Sequence, residues 1–94
     1  MSSKDRTPKV VPIDGFLDLH TFAPKDTKYV VTEYIHAAAD TGLTEIRIVH
    51  GRGVGVQRGL VQATLEAHPL VESFADAPES HLGATVVTLA RRPE

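Results

Sequence analysis

The 94-residue chain contains no cysteine and no tryptophan. The absence of cysteine excludes disulfide bonds, zinc–thiolate sites, iron–sulfur clusters and thiol catalysis. Positive charge is also scarce, because ten basic residues stand against twelve acidic ones and the formal net charge is −2. A chain without an overall positive field can hold nucleic acid only through a local patch of suitable groups.

Long apolar runs and aromatic residues are few as well. No stretch approaches the roughly 20 apolar residues of a transmembrane helix, so no membrane partner is expected. The first residues carry charges with no apolar signal core behind them, which predicts a cytoplasmic protein. Aromatic residues make up only 5% of the chain. We expect most of them in the core, with Phe22 the candidate for an exposed ring.

Length and composition predict one small domain. Apolar residues make up 41% of the chain, which is ordinary for a globular protein with a single core. Residues 1–12 are predicted to form a flexible N-terminal tail, residues 13–90 the domain, and residues 91–94 a short C-terminal tail. The sequence does not fix the oligomeric state, and a monomer is compatible with it.

Apolar periodicity predicts four strands and two helices. The strands are expected at residues 16–19, 43–50, 70–74 and 84–90, and the helices at residues 25–41 and 56–68. The order β-α-β-α-β-β is typical of an α/β domain with parallel crossovers, and one of the last two strands is free to run antiparallel. On the first strand, a period of two places Leu17 and Leu19 on one face and Asp18 and His20 on the other. Gly42 is the expected C-cap of the first helix.

Two histidines stand where predicted strands end, His20 after the first and His50 after the second. Ligands of open α/β sheets bind outside the carboxyl ends of the strands, so both imidazoles are expected on one rim beside Asp18. An aspartate two residues before a histidine can orient the ring, and histidine transfers protons near neutral pH. The sequence therefore predicts a catalytic cluster of Asp18, His20 and His50. The structural alternative is that each histidine caps its strand and satisfies backbone groups.

A glycine-rich loop joins the second strand to the second helix. Glycines let the backbone approach an anion, the helix N-terminus attracts it, and arginine grips phosphate through two parallel hydrogen bonds. His81 joins the same rim if the last strand runs antiparallel. The expected nucleic-acid-binding residues are Gly51, Arg52, Gly53, Gly55, Arg58 and His81. The alternative is a tight turn, since the loop matches neither the P-loop nor the dinucleotide fingerprint.

Three motifs occur in order, with a predicted helix in each of the two gaps between them. They are Leu17-Asp-Leu-His20, Ile48-Val-His-Gly-Arg-Gly53 and Gly83-Ala-Thr-Val-Val87. This set resembles the Smr (small MutS-related) domain family, as a stand-alone single-domain member. The resemblance implies a two-layer α/β sandwich with a four-stranded mixed sheet whose last strand is antiparallel. It also implies nucleic-acid binding and, in several members, endonuclease activity on DNA or RNA, with Asp18, His20, His50 and the glycine loop at the site.

The chain departs from the family pattern at three places. Thr21 and Gln57 replace a glycine and a leucine that are common in the family, and Ser80-His81-Leu82 replaces a glycine pair. The expected function is a nucleic-acid endonuclease. The alternatives are a non-catalytic nucleic-acid-binding module and a protein-interaction domain with a vestigial site. No metal site is predicted. Two histidines and one aspartate could hold a divalent ion, but one carboxylate is a thin ligand set for magnesium, so Mg²⁺ or Mn²⁺ as a cofactor is left open.

Overall fold

The computed structural model describes residues 13–51, 56–77 and 83–90. These residues form an α/β sandwich in which two helices cover one face of a four-stranded sheet. The elements in chain order are β1 (Phe16–Asp18), α1 (Thr27–Asp40), β2 (Glu45–Val49), α2 (Val56–Ala67), β3 (Val71–Asp76) and β4 (Ala84–Leu89). The fold class predicted from the sequence is confirmed. The tails predicted at residues 1–12 and 91–94 lie outside the described residues.

The sheet has the strand order β1-β2-β4-β3, so the last strand is inserted between the second and the third. β1 runs parallel to β2, and β4 runs antiparallel to both β2 and β3. The antiparallel last strand is therefore confirmed. Because of this direction, Ala84 at the start of β4 pairs with Val49 at the end of β2, and Val49 also pairs with Asp18 at the end of β1. One edge of the sheet thus gathers the ends of two strands and the start of a third.

The core lies between the sheet and the helices. Alternate strand residues such as Leu17, Ile48 and Val87 are buried there against Ile35 of α1 and Leu65 of α2. Each such side chain contributes about 1.5–3 kcal/mol when fully buried. Among the described residues the opposite face of the sheet carries no helix, and apart from buried Ala84 its residues on β1, β2 and β4 are half-buried or exposed.

The bounds of α1 follow from local backbone chemistry. A turn of 3₁₀ helix at Pro24–Asp26 precedes it, so α1 begins two residues later than predicted. At its end, Gly42 has φ +89° and donates its N–H to the carbonyl of Ala39. Glycine tolerates this left-handed conformation, which closes the helix as predicted.

Two expectations differ from the structure. β3 extends to Asp76, beyond the predicted end at residue 74, because it pairs with β4 as far as Thr85. Such pairing overrides the low strand propensity of aspartate. Two aromatic rings expected in the core are exposed: Phe16 is 51% exposed on the open sheet face, and Tyr29 is 70% exposed on α1. Phe22 is half-buried. In the described parts of the chain, no helix has the length and apolarity needed to cross a membrane.

Candidate active site

Asp18 and His20 form a hydrogen-bonded pair where β1 ends. Leu17 and Leu19 are buried and fix the strand, so the two polar side chains face away from the core, as the period of two predicts. Oδ1 of Asp18 lies 2.9 Å from Nδ1 of His20 and also accepts the backbone N–H of His20 at 3.0 Å. The His20 side chain is 74% exposed. Substrate in solution can therefore reach its imidazole.

The electrostatics of this pair favour an ionised aspartate. The backbone N–H of His20, and then its ring, lower the pKa of Asp18 below the usual value by hydrogen bonding to the carboxylate. A carboxylate only accepts hydrogen bonds, so Nδ1 of His20 carries the proton in this contact. In the neutral ring, Nε2 then holds the lone pair. This is the arrangement of a base oriented by a carboxylate.

His50 follows β2 but is buried, with a relative exposure of 7%. Its Nδ1 lies 3.1 Å from the carbonyl oxygen of Gly51, and its Nε2 lies 2.9 Å from the hydroxyl of Thr85. Because a carbonyl only accepts, Nδ1 is the donor. In the neutral ring, Nε2 accepts a hydrogen bond from the Thr85 hydroxyl.

The predicted three-residue cluster therefore divides into two parts. The ends of β1 and β2 do share one rim, as expected, and the N–H of Leu19 bonds the carbonyl of Val49 at 2.9 Å. The structure brings Asp18 and His20 together. His50 instead continues the buried alternation of Ile48, and both of its ring nitrogens are engaged with Gly51 and Thr85.

Gly51 begins the glycine loop with φ +88°, which residues with a side chain rarely adopt. Its N–H and that of His50 both donate to the carbonyl of Gly83, at 2.9 and 2.8 Å. The start of β4 is thereby tied to the start of the loop. The predicted binding residues Arg52, Gly53, Gly55 and His81 lie outside the described residues.

Arg58 lies in the first turn of α2, as predicted, but its guanidinium is already engaged. Its Nε and Nη2 donate to the two carboxylate oxygens of Asp76 at 3.1 and 2.7 Å. This contact lowers the pKa of Asp76 and raises that of Arg58. Both side chains are about half exposed, so water screens the pair and an incoming anion can compete for the arginine.

A hydrogen-bonded network that the sequence did not predict connects this ion pair to His50. Nε2 of Gln62 lies 3.1 Å from Oδ1 of Asp76 and 3.4 Å from the hydroxyl of Thr85. Thr85 in turn contacts His50. The spacing of Arg58 and Gln62, four residues apart on α2, was the one available sequence signal. The sequence predicts Asp76 beyond the end of the third strand and gives Thr85 no role in the site.

The described residues do not form a ready-made metal site. Within residues 13–51, 56–77 and 83–90, no three or more histidine, aspartate or glutamate side chains are arranged to hold an ion. Mg²⁺ prefers six oxygen ligands and is often held by one or two carboxylates together with substrate phosphates. Asp18 offers one carboxylate, which the ring of His20 already engages, so these residues alone do not complete a Mg²⁺ site.

Comparison with known proteins agrees with the fold. A model of the Smr domain matches residues 17–90. Endonuclease MutS2 of Caldicellulosiruptor saccharolyticus is 35% identical over 79 residues, which cover 82% of this chain and 10% of that protein. Endonuclease MutS2 of Thermus thermophilus is 34% identical over 77 residues, with the same coverage. The chain thus spans about a tenth of the length of these curated relatives.

Two crystal structures share the fold. The Smr domain of Thermus thermophilus MutS2 superposes with a TM-score of 0.74 and 35% identity, over 83% of this chain and 98% of that one. YdaL, a stand-alone small MutS-related protein from Escherichia coli, superposes with a TM-score of 0.75 and 25% identity, over 93% of this chain and 71% of that one.

Proposed function

Because the chain belongs to the Smr domain family, we propose that it is an endonuclease that cleaves phosphodiester bonds in DNA or RNA. The observation that carries this proposal is the Asp18–His20 pair, an exposed imidazole held by an ionised carboxylate at the carboxyl end of β1. Homology to proteins named as endonucleases supports it. The same imidazole could not be recruited as readily if it were buried, as His50 is.

His20 acts as the general base. Its Nε2 takes a proton from the attacking oxygen, which belongs to water or to an RNA 2′-hydroxyl, as that oxygen bonds to phosphorus. The bond from phosphorus to the leaving oxygen breaks, and that oxygen takes a proton from solvent or from the imidazolium. Asp18 holds the ring in place and stabilises the positive charge that it gains. Such general-base assistance contributes about 10²–10⁴ in rate.

His50 supports the site as a positioning residue. Its Nδ1–H holds the carbonyl of Gly51, and its Nε2 is anchored on Thr85. The ring thus braces the start of the glycine loop from the inside of the fold. Because the protein's own groups engage both of its ring nitrogens, we assign proton transfer to His20 rather than to His50.

Phosphate binding falls to the glycine loop and to Arg58. Gly51, Arg52, Gly53 and Gly55 remain the predicted backbone and side-chain partners of a phosphate, and His81 remains a predicted neighbour. Arg58 joins them when a phosphate displaces Asp76, since an arginine fork fits phosphate and carboxylate equally well. Until then, the carboxylate of Asp76 accepts the hydrogen bonds of the Arg58 guanidinium.

A cleavage assay on a mixed panel tests the proposal. Supercoiled plasmid, branched DNA, single strands and structured RNA are incubated with wild-type protein, with His20→Asn, and with His36→Asn as a matched control at an exposed histidine of α1. Each reaction is run with magnesium, with manganese and with chelator. We expect cleavage by wild type and His36→Asn, and a loss of about 10²–10⁴ in rate for His20→Asn. Equal cleavage by all three proteins would show that the site lies elsewhere.

A non-catalytic nucleic-acid-binding module is the second candidate. It is favoured by one observation, namely that His50 and Arg58 are both engaged by the protein's own groups. Binding that survives in His20→Asn, together with no cleavage of any substrate by wild type, would support it. A cytoplasmic location stays a prediction.

A further inference from the structure

A cavity of about 280 Å³ opens between β1 and α1, next to the turn that carries His20. It is close to the size at which ligand pockets begin. Most of its lining is apolar, and three of the contributing side chains are aromatic rings. The residues around it are Ile13, Leu17, Phe22, Tyr29, Val30, Glu33, Tyr34 and Ala37.

The aromatic rings are held at different depths. Tyr34 is 4% exposed, and its hydroxyl accepts the N–H of Gly15 at 2.9 Å, which fixes the ring at the inner end. Tyr29 is 70% exposed and lies at the mouth. Glu33, one turn along α1 from Tyr29, is a charged residue of the lining.

Phe22 connects the cavity to the candidate active site. Its N–H bonds the carbonyl of Leu19 at 2.9 Å, which closes the turn that contains His20. Phe22 stands two positions after His20, so their Cα atoms are at most about 7.6 Å apart. A group bound against Phe22 therefore lies near the turn that carries His20.

We infer that this cavity receives one unpaired nucleobase of the nucleic acid, next to the phosphodiester that His20 addresses; the inference rests on the proposed function. A base is planar and stacks on aromatic side chains, and its exocyclic amine can donate a hydrogen bond to a carboxylate such as that of Glu33. A base inside a duplex is stacked and paired, so it must be single-stranded or flipped out to enter. The substrate class is thus nucleic acid with unpaired bases at the cleavage point.

A nucleobase is favoured over other occupants because Phe22, which lines the cavity, lies in the turn that contains His20. A second copy of this chain would need a complementary protruding side chain. The chain's own residues 10–12 precede Ile13 and form the other local alternative. Both alternatives predict that exposed Tyr29 has no effect on nucleic-acid binding.

Binding of a fluorescein-labelled single-stranded 12-mer, measured by anisotropy in the His20→Asn background to prevent cleavage, tests the inference. Tyr29→Ala should weaken binding by about fivefold or more, the loss expected for one base stack. Tyr29→Phe keeps the ring and should stay within about twofold. Phe16→Ala is the matched control, because Phe16 is also an exposed aromatic residue but does not line the cavity. The same strand annealed to its complement should bind more weakly and respond less to Tyr29→Ala.

A second measurement, by NMR, needs neither cleavage nor an oligonucleotide. The ring signals of Tyr29 and Phe22 in wild-type protein should shift on titration with adenosine monophosphate and not with ribose 5-phosphate. Equal shifts with both compounds, or equal strand binding by Tyr29→Ala and Phe16→Ala, would overturn the inference. Cleavage without any effect of Tyr29→Ala would leave the endonuclease proposal standing alone. Tyr29-dependent binding without cleavage would retain the base site and remove the endonuclease.

Discussion

Replacing Thr85 by valine removes one hydroxyl from the centre of the buried network. Thr85 is fully buried, and its hydroxyl lies 2.9 Å from Nε2 of His50 and 3.4 Å from Nε2 of Gln62. Valine has nearly the same shape and suits a strand. The main consequence is therefore a buried imidazole nitrogen without a partner.

An unsatisfied buried polar group costs about 1–3 kcal/mol. We expect the free energy of unfolding of Thr85→Val to fall by that amount. In a domain of this size, each kcal/mol lowers Tm by about 4–8 °C. The variant should still fold, because small domains have about 5–15 kcal/mol of stability.

Urea and thermal unfolding followed by circular dichroism measure this loss. Thr88→Val is the matched control on the same strand, since Thr88 is half-buried on the opposite face of the sheet. Its unfolding free energy should change by no more than about 0.5 kcal/mol. Equal stability of the two variants would refute the role given to the Thr85 hydroxyl. Imidazole nitrogen shifts offer an independent check, because wild-type His50 should carry its proton on Nδ1, and a proton on Nε2 would reverse the inferred hydrogen bonds.

Three further predictions concern charge. Asp76→Asn should tighten nucleic-acid binding a few-fold at low salt, because Arg58 loses its competing carboxylate. The plot of binding constant against salt concentration should steepen by the amount expected for about one more phosphate contact. Unchanged affinity and slope would contradict the proposal that Arg58 binds phosphate when Asp76 releases it. Hydrogen bonds from His20 lower the pKa of Asp18, so the ionised carboxylate stabilises the fold by less than about 1 kcal/mol at this exposed site. This contribution is present above about pH 4 and is lost as the pH falls through the folded-state pKa. The difference in unfolding free energy between wild type and Asp18→Asn should therefore vanish in acid. Burial, and then the neighbouring His36, lower the pKa of His68 in the folded protein. As the pH drops below about 6.5 the unfolded chain therefore binds a proton at His68 more readily than the folded one, and the free energy of unfolding should fall. Unfolding curves of His68→Asn should show a smaller fall, and an equal fall would show that His68 is not the group responsible.

The candidate site was accessible to sequence reasoning where neighbours along the chain define it. The alternation of Leu17, Asp18, Leu19 and His20 is a local property of a strand. It placed the aspartate and the histidine on one side before any tertiary contact was known. Gly42 as the end of α1 follows from the same kind of local rule.

The roles of His50 and Arg58 were not accessible in this way. The partner of His50 is Thr85, 35 residues further along the chain, and the partner of Arg58 is Asp76, 18 residues away. Which group satisfies a buried ring nitrogen depends on the strand that lies beside it. Sequence motifs predicted that both residues belong to the rim, but not what they contact there.

The sequence by itself determined the order of strands and helices, the faces of β1 and the family resemblance, because periodicity and short motifs are encoded by neighbouring residues. Only the tertiary structure decided that β4 lies between β2 and β3. This insertion brings Thr85 against the imidazole of His50, which the alternation of β2 already turns inward. It leaves His20, which has its partner two residues away, as the exposed histidine of the pair.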